Sequence, residues 1–211
     1  MSTNIHAAQK PLIYQIGKHV KLVDDATFCK SIIADGKELI TGKESGEIRV
    51  PELNDEKVYI TFKEDLTSLA NAFSGCSALK SIPENLFANC PKATDFSFTF
   101  FGCKALTAIP EGLFANNPKV TIFQGTFSYC SALKSLPANL FANNRKVNSF
   151  RLTFSGCSAL KSIPEKLFAN CPKVNTFFQT FALCKSLKYI QKNLFANNPK
   201  VTSFYGTFWK C

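Results

Sequence analysis

The feature that most constrains the fold of this chain is a unit of 27 residues that recurs without insertion. A unit reads C-x-x-L-x-x-I-P-x-x-L-F-A-N-x-P-K-V-x-x-F-x-x-T-F-x-x-C, with few departures. A fixed period of this length indicates an architecture in which each unit forms one coil and buries its apolar face on the next. We therefore predict a mainly β repeat solenoid, a right-handed stack of 27-residue coils. The period is marked by Cys76, Cys103, Cys130, Cys157, Cys184 and Cys211.

Two short stretches in each unit have the character of strands. The first lies near Leu79–Ile82, where proline follows at once and prevents a long helix. The second lies near Ala93–Phe96, where β-branched and aromatic residues recur in the other units. Stacked coils would join these stretches into parallel sheets with a spacing of about 4.8 Å. The T-F-x-x-C corner is expected to form a turn that directs phenylalanine and cysteine inward.

The residues before the repeats have a different pattern, and we divide the chain into 1–65 and 66–211. Apolar stretches flank an Asp-Gly pair within 30–40, which predicts a β-hairpin. Two further strands are predicted at 46–50 and 57–62. Residues 1–65 should therefore form a small antiparallel β unit that caps the solenoid, although an attachment domain is an alternative. The solenoid would consist of a half repeat at 66–76 and five full repeats at 77–211.

The repeat resembles a known family. In residues 153–174, TFSGCSALKSIPEKLFANCPKV, an aromatic residue precedes a small residue and cysteine, and L-x-x-I-P follows. This motif is similar to the leucine-rich repeats of BspA-like surface proteins, the Treponema pallidum type, and the similarity spans residues 66–211. The resemblance implies a leucine-rich-repeat-like solenoid and surface-exposed binding or adhesion proteins of gut and oral bacteria and mucosal parasites. It implies no catalytic residues, and related repeats occur in phage-encoded proteins of gut bacteria.

The nine cysteines are interpreted as buried free thiols rather than disulfides. Stacked equivalents would have parallel side-chain vectors and Cβ atoms about 4.8 Å apart, beyond the usual disulfide range of about 3.5–4.5 Å. No C-x-x-C pair is present, so a zinc site is not expected. A second invariant residue, asparagine, is interpreted as satisfying backbone groups at a tight corner. This asparagine is Asn89, Asn116, Asn143, Asn170 and Asn197.

Binding residues should vary between coils where structural residues repeat. The position after the second-strand phenylalanine and its neighbours vary most, and strand alternation would place Arg151, Phe178 and Tyr205 in one line on an exposed sheet. Exposed aromatic residues flanked by polar groups are typical of protein or glycan contact surfaces. The alternative is drift at unconstrained positions or packing between neighbouring coils. The candidate ligand-binding residues are Phe98, Gln124, Arg151, Phe178, Tyr205, Tyr129 and Trp209.

Charge is unevenly distributed along the chain. Residues 77–211 hold 16 basic and 4 acidic residues, a net charge of +12, whereas residues 1–76 have a net charge of −2. A basic stripe recurs once per coil and would attract a sulfated glycan, an anionic cell surface or another polyanion. The alternative is a solvated face that keeps sheet edges apart. The stripe consists of Lys92, Lys119, Lys146, Lys173 and Lys200.

Enzymatic function is not expected. The two histidines precede the repeats, and the chain contains no nucleophile elbow, zinc-protease, P-loop or dinucleotide-binding motif. We therefore expect no catalytic residue, no metal site and no cofactor. No apolar run is long enough for a membrane-spanning helix, and no motif for specific nucleic-acid binding is present.

The leading hypothesis is a non-enzymatic recognition or adhesion module that binds a protein or glycan on a cell or matrix surface. No signal peptide is recognisable at the N-terminus, so an extracellular or cell-surface location would require a leader removed earlier. The alternatives are a virion-associated structural or receptor-binding component of a phage-like particle, and a basic polyanion-binding scaffold. The absence of a polar cap after the last repeat suggests homo-oligomer contacts through the C-terminal end.

Overall fold

The computed structural model describes residues 10–40 and 45–211. The prediction for residues 1–65 therefore includes 1–9 and 41–44, which lie outside the described residues. Among the described residues no helix is long and apolar enough to span a bilayer. The strands are β1 Leu12–Tyr14, β2 Gly17–Val23, β3 Cys29–Ala34, β4 Lys37–Ile40, β5 Ile48–Leu53, β6 Lys57–Phe62 and β7 Leu79–Ser81, with a single 3₁₀ turn at Ala26–Phe28.

Antiparallel strands form the N-terminal part of the chain, as predicted. A five-stranded sheet has the order β4-β3-β6-β1-β7, and β2 pairs with β5 in a separate two-stranded sheet. The hairpin between β3 and β4 turns at Asp35 and Gly36, whose φ angles of 49° and 69° are those of the two central residues of a type I′ turn. The predicted strands at 46–50 and 57–62 correspond to β5 and β6, but these strands pair with other partners and not with each other.

The N-terminal sheet is continuous with the first repeat. Strand β1 lies between β6 and β7, and β7 belongs to the first full repeat. Two further backbone bonds cross this junction: Gln15 N–H donates to Ala78 O at 2.7 Å, and Asp24 N–H donates to Ala72 O at 2.9 Å. Lys21, which is nearly buried, pairs with Asp24 and with Glu47 at 3.0 Å beside the same junction. The junction therefore combines a shared sheet with an ion-pair cluster.

The repeats are β-rich and held by parallel bridges, but the prediction of two short strands in every coil is wrong. Only the first repeat contains a strand, β7, and that strand pairs antiparallel with β1. Near the predicted second strand, each repeat contributes one bridged residue, which pairs with the residue 27 positions away. The bridged residues are Ser68, Asp95, Ile122, Ser149, Thr176 and Ser203.

The extended conformation is short because the backbone changes to a left-handed conformation three residues after each bridge. Phe98 and Leu152 have φ angles of 55° and 58°. Hydrogen bonding between repeats nevertheless continues through the turn, since Phe98 N–H donates to Gln124 O and Phe100 N–H donates to Thr126 O, both at 2.8 Å. Parallel pairing is thus retained by turns rather than by strands.

Phenylalanine fills the core in three continuous columns, which confirms the prediction that these residues are internal. Rings in successive repeats stack nearly parallel, as in Phe100 and Phe127, whose centroids are 5.4 Å apart with planes 6° apart. Stacked and edge contacts of this kind add to the free energy of apolar burial. The columns are Phe73, Phe100, Phe127, Phe154, Phe181 and Phe208; Phe96, Phe123, Phe150, Phe177 and Phe204; and Phe87, Phe114, Phe141, Phe168 and Phe195.

The cysteine column confirms the prediction of buried free thiols. Eight of the nine cysteines are buried, Cys211 is exposed, and all nine are free. In five of the six repeating positions the thiol donates to a phenylalanine carbonyl 30 residues earlier, as from Cys130 Sγ to Phe100 O at 3.2 Å. Burial raises the pKa of the Cys184 thiol to about 12. These thiols are therefore small apolar side chains that satisfy backbone acceptors.

The role predicted for the invariant asparagine belongs to the next residue. Asn143 is exposed and donates to one carbonyl oxygen, that of Ala115, at 3.0 Å. Asn144 is fully buried, and its Nδ2 donates to Asn117 O at 2.9 Å and to Phe114 O at 3.4 Å. The same arrangement recurs at Asn117 and Asn198. The prediction for the invariant asparagines is therefore wrong, because the interior contains the neighbouring position, where asparagine alternates with Cys90 and Cys171.

Candidate functional site

The candidate site lies on the turns between the bridged residue and the cysteine of each repeat. Two positions in these turns adopt the left-handed conformation in every repeat, which only glycine does at little cost. We call them the first and second left-handed columns. The first column is Asn71, Phe98, Gly125, Leu152, Gln179 and Gly206, with φ between 49° and 63°. The second column is Gly75, Gly102, Tyr129, Gly156, Leu183 and Lys210, with φ between 55° and 75°.

Large residues and glycines alternate along these columns for a steric reason. A Cβ atom added at Gly125 would lie 2.4 Å from the ring of Phe98, and one added at Gly156 would lie 2.7 Å from the ring of Tyr129. Each aromatic ring therefore occupies the space above a glycine in the next repeat. By contrast, a Cβ atom at Gly102 would meet nothing closer than 3.8 Å. The glycines at 125 and 156 are consequently required for the placement of these two rings.

The rings enclose a groove that runs along the repeat axis. Phe98 and Phe101 meet edge to face at 6.0 Å, and Phe101 and Tyr129 do so at 5.6 Å. The groove has a cavity volume of about 220 Å³. Leu152 and Gln179 of the first column contribute to its lining, as do Tyr129 and Leu183 of the second column. Phe101, Ser128, Ser155, Ala182 and Trp209 complete the lining between the columns, together with Phe98.

Beside the groove, a second group of side chains forms a stack across three repeats. The guanidinium carbon of Arg151 lies 4.1 Å from the centroid of the Phe178 ring. Phe178 in turn stacks on Tyr205, with centroids 5.2 Å apart and planes 18° apart. Stacking orients the planar guanidinium while its N–H groups stay available for a carboxylate. Arg151 has no carboxylate partner among residues 10–40 and 45–211.

A hollow of about 320 Å³ connects the stack with the groove. Its lining includes Tyr205 from the stack and Gln179 and Trp209 from the groove. Tyr205 is 69% exposed and Trp209 is 50% exposed, and Lys210 Nζ lies 4.4 Å from the centroid of the Trp209 ring. The stack and the groove therefore form one continuous surface, which we call the aromatic face.

The aromatic face is basic at its margins and poor in acid. Of the four acidic residues in 77–211, Glu84, Glu111 and Glu165 occupy the turn after the proline, a different part of the repeat. Asp95 lies nearest along the chain, and its carboxylate accepts from both the N–H and the hydroxyl of Ser97, at 2.8 Å and 2.6 Å. A ligand at this face would therefore meet aromatic rings, a few hydroxyl and amide groups, and the cations of Arg151 and Lys210.

The structure brings most of the predicted ligand-binding residues together. Arg151, Phe178 and Tyr205 lie in one line as expected, although on turns rather than on a sheet, and Phe178 is half-buried. The other residues divide into two groups. Phe98, Tyr129 and Trp209 line the groove, whereas Gln124 lines neither the groove nor the hollow.

Leu183 is the groove residue that the sequence interpretation missed. The signal that could have found it is the 27-residue step that joins it to Gly102 and Gly156. A bulky residue at a position that is glycine in other repeats indicates a left-handed backbone retained for another purpose.

The predicted basic stripe is exposed in every repeat. Lys92 pairs with Asp65 at 2.6 Å, and the other four lysines of the stripe have no carboxylate within 4.0 Å among the described residues. No cluster of three or more histidine, cysteine or acidic side chains that could hold a metal ion occurs in the described part of the chain. The stripe therefore offers charge without a geometrically defined pocket.

Together these observations define the class: a β-rich repeat protein with a phenylalanine core and one face of non-repeating aromatic side chains. A comparison with family models identifies six copies of the BspA type leucine-rich repeat region, in matches to residues 56–155 and 80–207. The chain belongs to the BspA-type leucine-rich-repeat family. A comparison with curated proteins finds no match to this chain. Proteins with repeats of this family are typically surface-associated and generally non-enzymatic, and the family suggests a module for protein interaction or adhesion.

Proposed function

We propose that this chain is a non-enzymatic recognition module that binds a protein or glycan on a cell or matrix surface through the aromatic face. The observation that carries the proposal is the stack of Arg151, Phe178 and Tyr205, three residues that differ at one repeat position yet form one assembly. Residues fixed by folding recur from repeat to repeat, whereas these do not. Tyrosine and arginine dominate the binding energy of many interfaces, which favours a contact surface over drift.

The repeat geometry supports a solenoid as the scaffold for this surface. Parallel bridges and side-chain hydrogen bonds join residues 27 positions apart from Ser68 to Ser203. Each 27-residue unit would then be one coil, and equivalent side chains would form columns about 4.8 Å apart along the axis. A right-handed sense of the stack remains a prediction. An extracellular or surface-held location follows from the same proposal, since a contact face of this kind serves adhesion between cells or to matrix.

One observation favours a second candidate, a scaffold for polyanions. Four lysines of the basic stripe lack a carboxylate within 4.0 Å in the described part of the chain, and stacked lysines repel one another. A sulfated glycan would relieve that repulsion. Such binding would be electrostatic and would decrease steeply with salt.

A binding assay with two matched variants tests the proposal. Labelled protein is added to bacterial cells, mucin and immobilised matrix proteins, and the bound fraction is measured for the wild type and for Arg151→Ala/Phe178→Ala/Tyr205→Ala. The control variant, Lys146→Ala/Lys173→Ala/Lys200→Ala, also replaces three exposed side chains per molecule. We expect the first variant to weaken binding by at least about tenfold, which corresponds to 1.4 kcal/mol, and the control to retain it.

Circular dichroism must show that both variants are folded before their binding is compared. Retention of binding by the stack variant, with loss in the lysine variant, would replace the proposal with the polyanion scaffold. Retention of binding by both variants would show that the contact lies elsewhere on the chain.

A further inference from the structure

The groove of the aromatic face carries structural features that folding alone does not require. Phe98, Leu152 and Gln179 occupy the first left-handed column, where Gly125 and Gly206 fulfil the same role without a side chain. Tyr129 does so in the second column, where other repeats have glycine. A non-glycine residue with positive φ is strained, and such strain persists when the side chain is needed in that place. Each of these large residues contributes to the lining of the groove.

The length and direction of the groove fit an extended polypeptide. Its lining extends from Phe101 to Trp209, four repeats apart, which is about 19 Å at 4.8 Å per repeat. An extended chain advances about 3.3–3.6 Å per residue, so five or six residues would occupy this length. Alternate side chains of such a segment would point into the groove, and the others would point toward its margins.

The chemistry of the lining favours apolar side chains over sugar hydroxyls. Seven of the ten lining residues are aromatic or aliphatic. Of the three polar residues, Ser128 already donates its hydroxyl to Ser155 O at 3.1 Å. A sugar placed here would leave most of its hydroxyls without partners, at a cost that the aromatic contacts would have to exceed. Leucine or phenylalanine side chains would instead bury apolar surface on both sides of the contact.

Charge at the margins specifies the residues that flank these apolar side chains. Arg151 is oriented by the Phe178 ring and lacks a carboxylate partner among the described residues, and Lys210 lies over Trp209. Residues 77–211 have a net charge of +12. Acidic side chains at the margins would therefore be attracted, and basic ones repelled.

We propose that the groove between the two left-handed columns binds an extended segment of a partner protein, in which apolar residues alternate with acidic residues. This inference rests on the proposed recognition function and specifies its ligand class. Phe98 and Tyr129 would form one wall, fixed in place by the glycines beneath their rings, and Arg151 would bind a carboxylate at the margin.

Selection from a random peptide library tests the ligand class. Immobilised wild-type protein is used to select from displayed twelve-residue peptides, and the consensus peptide is synthesised with a fluorescent label. We expect a consensus with alternating apolar and acidic residues. A version with lysine in place of each acidic residue should bind at least about tenfold more weakly in fluorescence anisotropy. Failure to enrich any sequence, or a consensus without acidic residues, overturns the proposal.

Two glycine variants in the same column test the location. Gly156→Ala and Gly102→Ala introduce a Cβ at φ angles of 75° and 68°, so both carry the same backbone strain. Only Gly156→Ala forces the Tyr129 ring to move, because its Cβ would lie 2.7 Å from that ring. We expect Gly156→Ala to weaken the consensus peptide at least about tenfold and Gly102→Ala to change it by less than about twofold. Equal effects would overturn the assignment to the groove.

A third variant separates binding from folding. Tyr129→Gly restores the residue that other repeats use at this position, so the thermal midpoint should stay within about 4 °C of the wild type while peptide affinity falls at least tenfold. Unchanged affinity would contradict the proposal. Neutral and acidic hexasaccharides are tested as competitors, and displacement of the peptide by either would indicate a glycan site instead.

The two proposals can fail separately. If the stack variant loses binding to cells or matrix but the groove variants bind the consensus peptide normally, recognition stands and the groove assignment is wrong. If the stack variant retains binding to cells and matrix, the recognition function itself is wrong.

Discussion

At the scale of single residues, the repeats are stabilised by buried polar side chains that satisfy backbone carbonyl groups. Asn144 Nδ2 bonds to carbonyl oxygens 27 and 30 residues earlier, and Thr153 Oγ1 lies 2.8 Å from Phe123 O and from Phe150 O. An unpaired buried carbonyl costs about 1–3 kcal/mol, so each such side chain contributes at that order. The sequence interpretation chose the wrong asparagine because invariance does not distinguish a buried residue from an exposed one.

Neighbouring asparagines allow a matched test of this account. Asn144→Ala removes a buried donor and should lower the free energy of unfolding by about 2–4 kcal/mol, whereas Asn143→Ala, at an exposed position, should lower it by less than about 1 kcal/mol. Urea unfolding followed by circular dichroism measures both. Equal losses would show that the buried amide has no special role.

The buried thiols predict a loss of stability at alkaline pH. Burial raises the pKa of the Cys171 thiol to about 12, so the folded chain retains a proton that the unfolded chain loses above about pH 9. Below pH 9 this contribution is fully present. Between pH 9 and 12, each buried thiol should lower the free energy of unfolding by about 1.4 kcal/mol per pH unit.

The variant Cys171→Asn isolates this effect, because asparagine occupies the equivalent position at Asn144 and Asn198. Its unfolding free energy, measured in urea from pH 8 to pH 11, should decline less steeply than that of the wild type, by about 1.4 kcal/mol per pH unit. Tyrosine and lysine titrate alike in both proteins and cancel in the comparison. Parallel slopes would contradict the assigned burial.

At the scale of elements, the turns could be predicted from the sequence only in part. The period, the phenylalanine columns and the Asp35-Gly36 hairpin follow from residue pattern and turn chemistry, and the structure contains all three. The short strands do not, because β-propensity cannot reveal that Phe98 and Leu152 adopt positive φ. The line of Arg151, Phe178 and Tyr205 was predictable from the repeat step alone. The groove was not, because it depends on how a ring in one repeat fits above a glycine in the next.

A double-mutant cycle tests that fit. Gly125→Ala should destabilise the protein for two reasons: strain at a φ of 60° and a Cβ 2.4 Å from the Phe98 ring. In the Phe98→Gly background only the strain remains. The coupling between the two substitutions in urea unfolding should therefore be at least about 1 kcal/mol, with the double variant more stable than additivity predicts. Additive effects would contradict the steric interpretation of the columns.

At the scale of the whole molecule, folding and recognition use different parts of the repeat. Phenylalanine, cysteine, threonine and asparagine fill the interior, and strand β1 joins the N-terminal sheet to the first repeat through β7. The turns carry the non-repeating aromatic residues, while lysines repeat on another part of each unit. A single stack can thus change its ligand through turn residues while its core is retained.

The salt dependence of binding tests the central claim that the aromatic face, and not the lysine stripe, makes the contact. The dissociation constant of wild-type protein for the surface that binds it best is measured at 0.15 M and about 0.5 M salt. Recognition by stacked rings and one or two ion pairs predicts a change of less than about tenfold. A loss of about a thousandfold or more, as expected when many lysine contacts release counterions, would contradict the account.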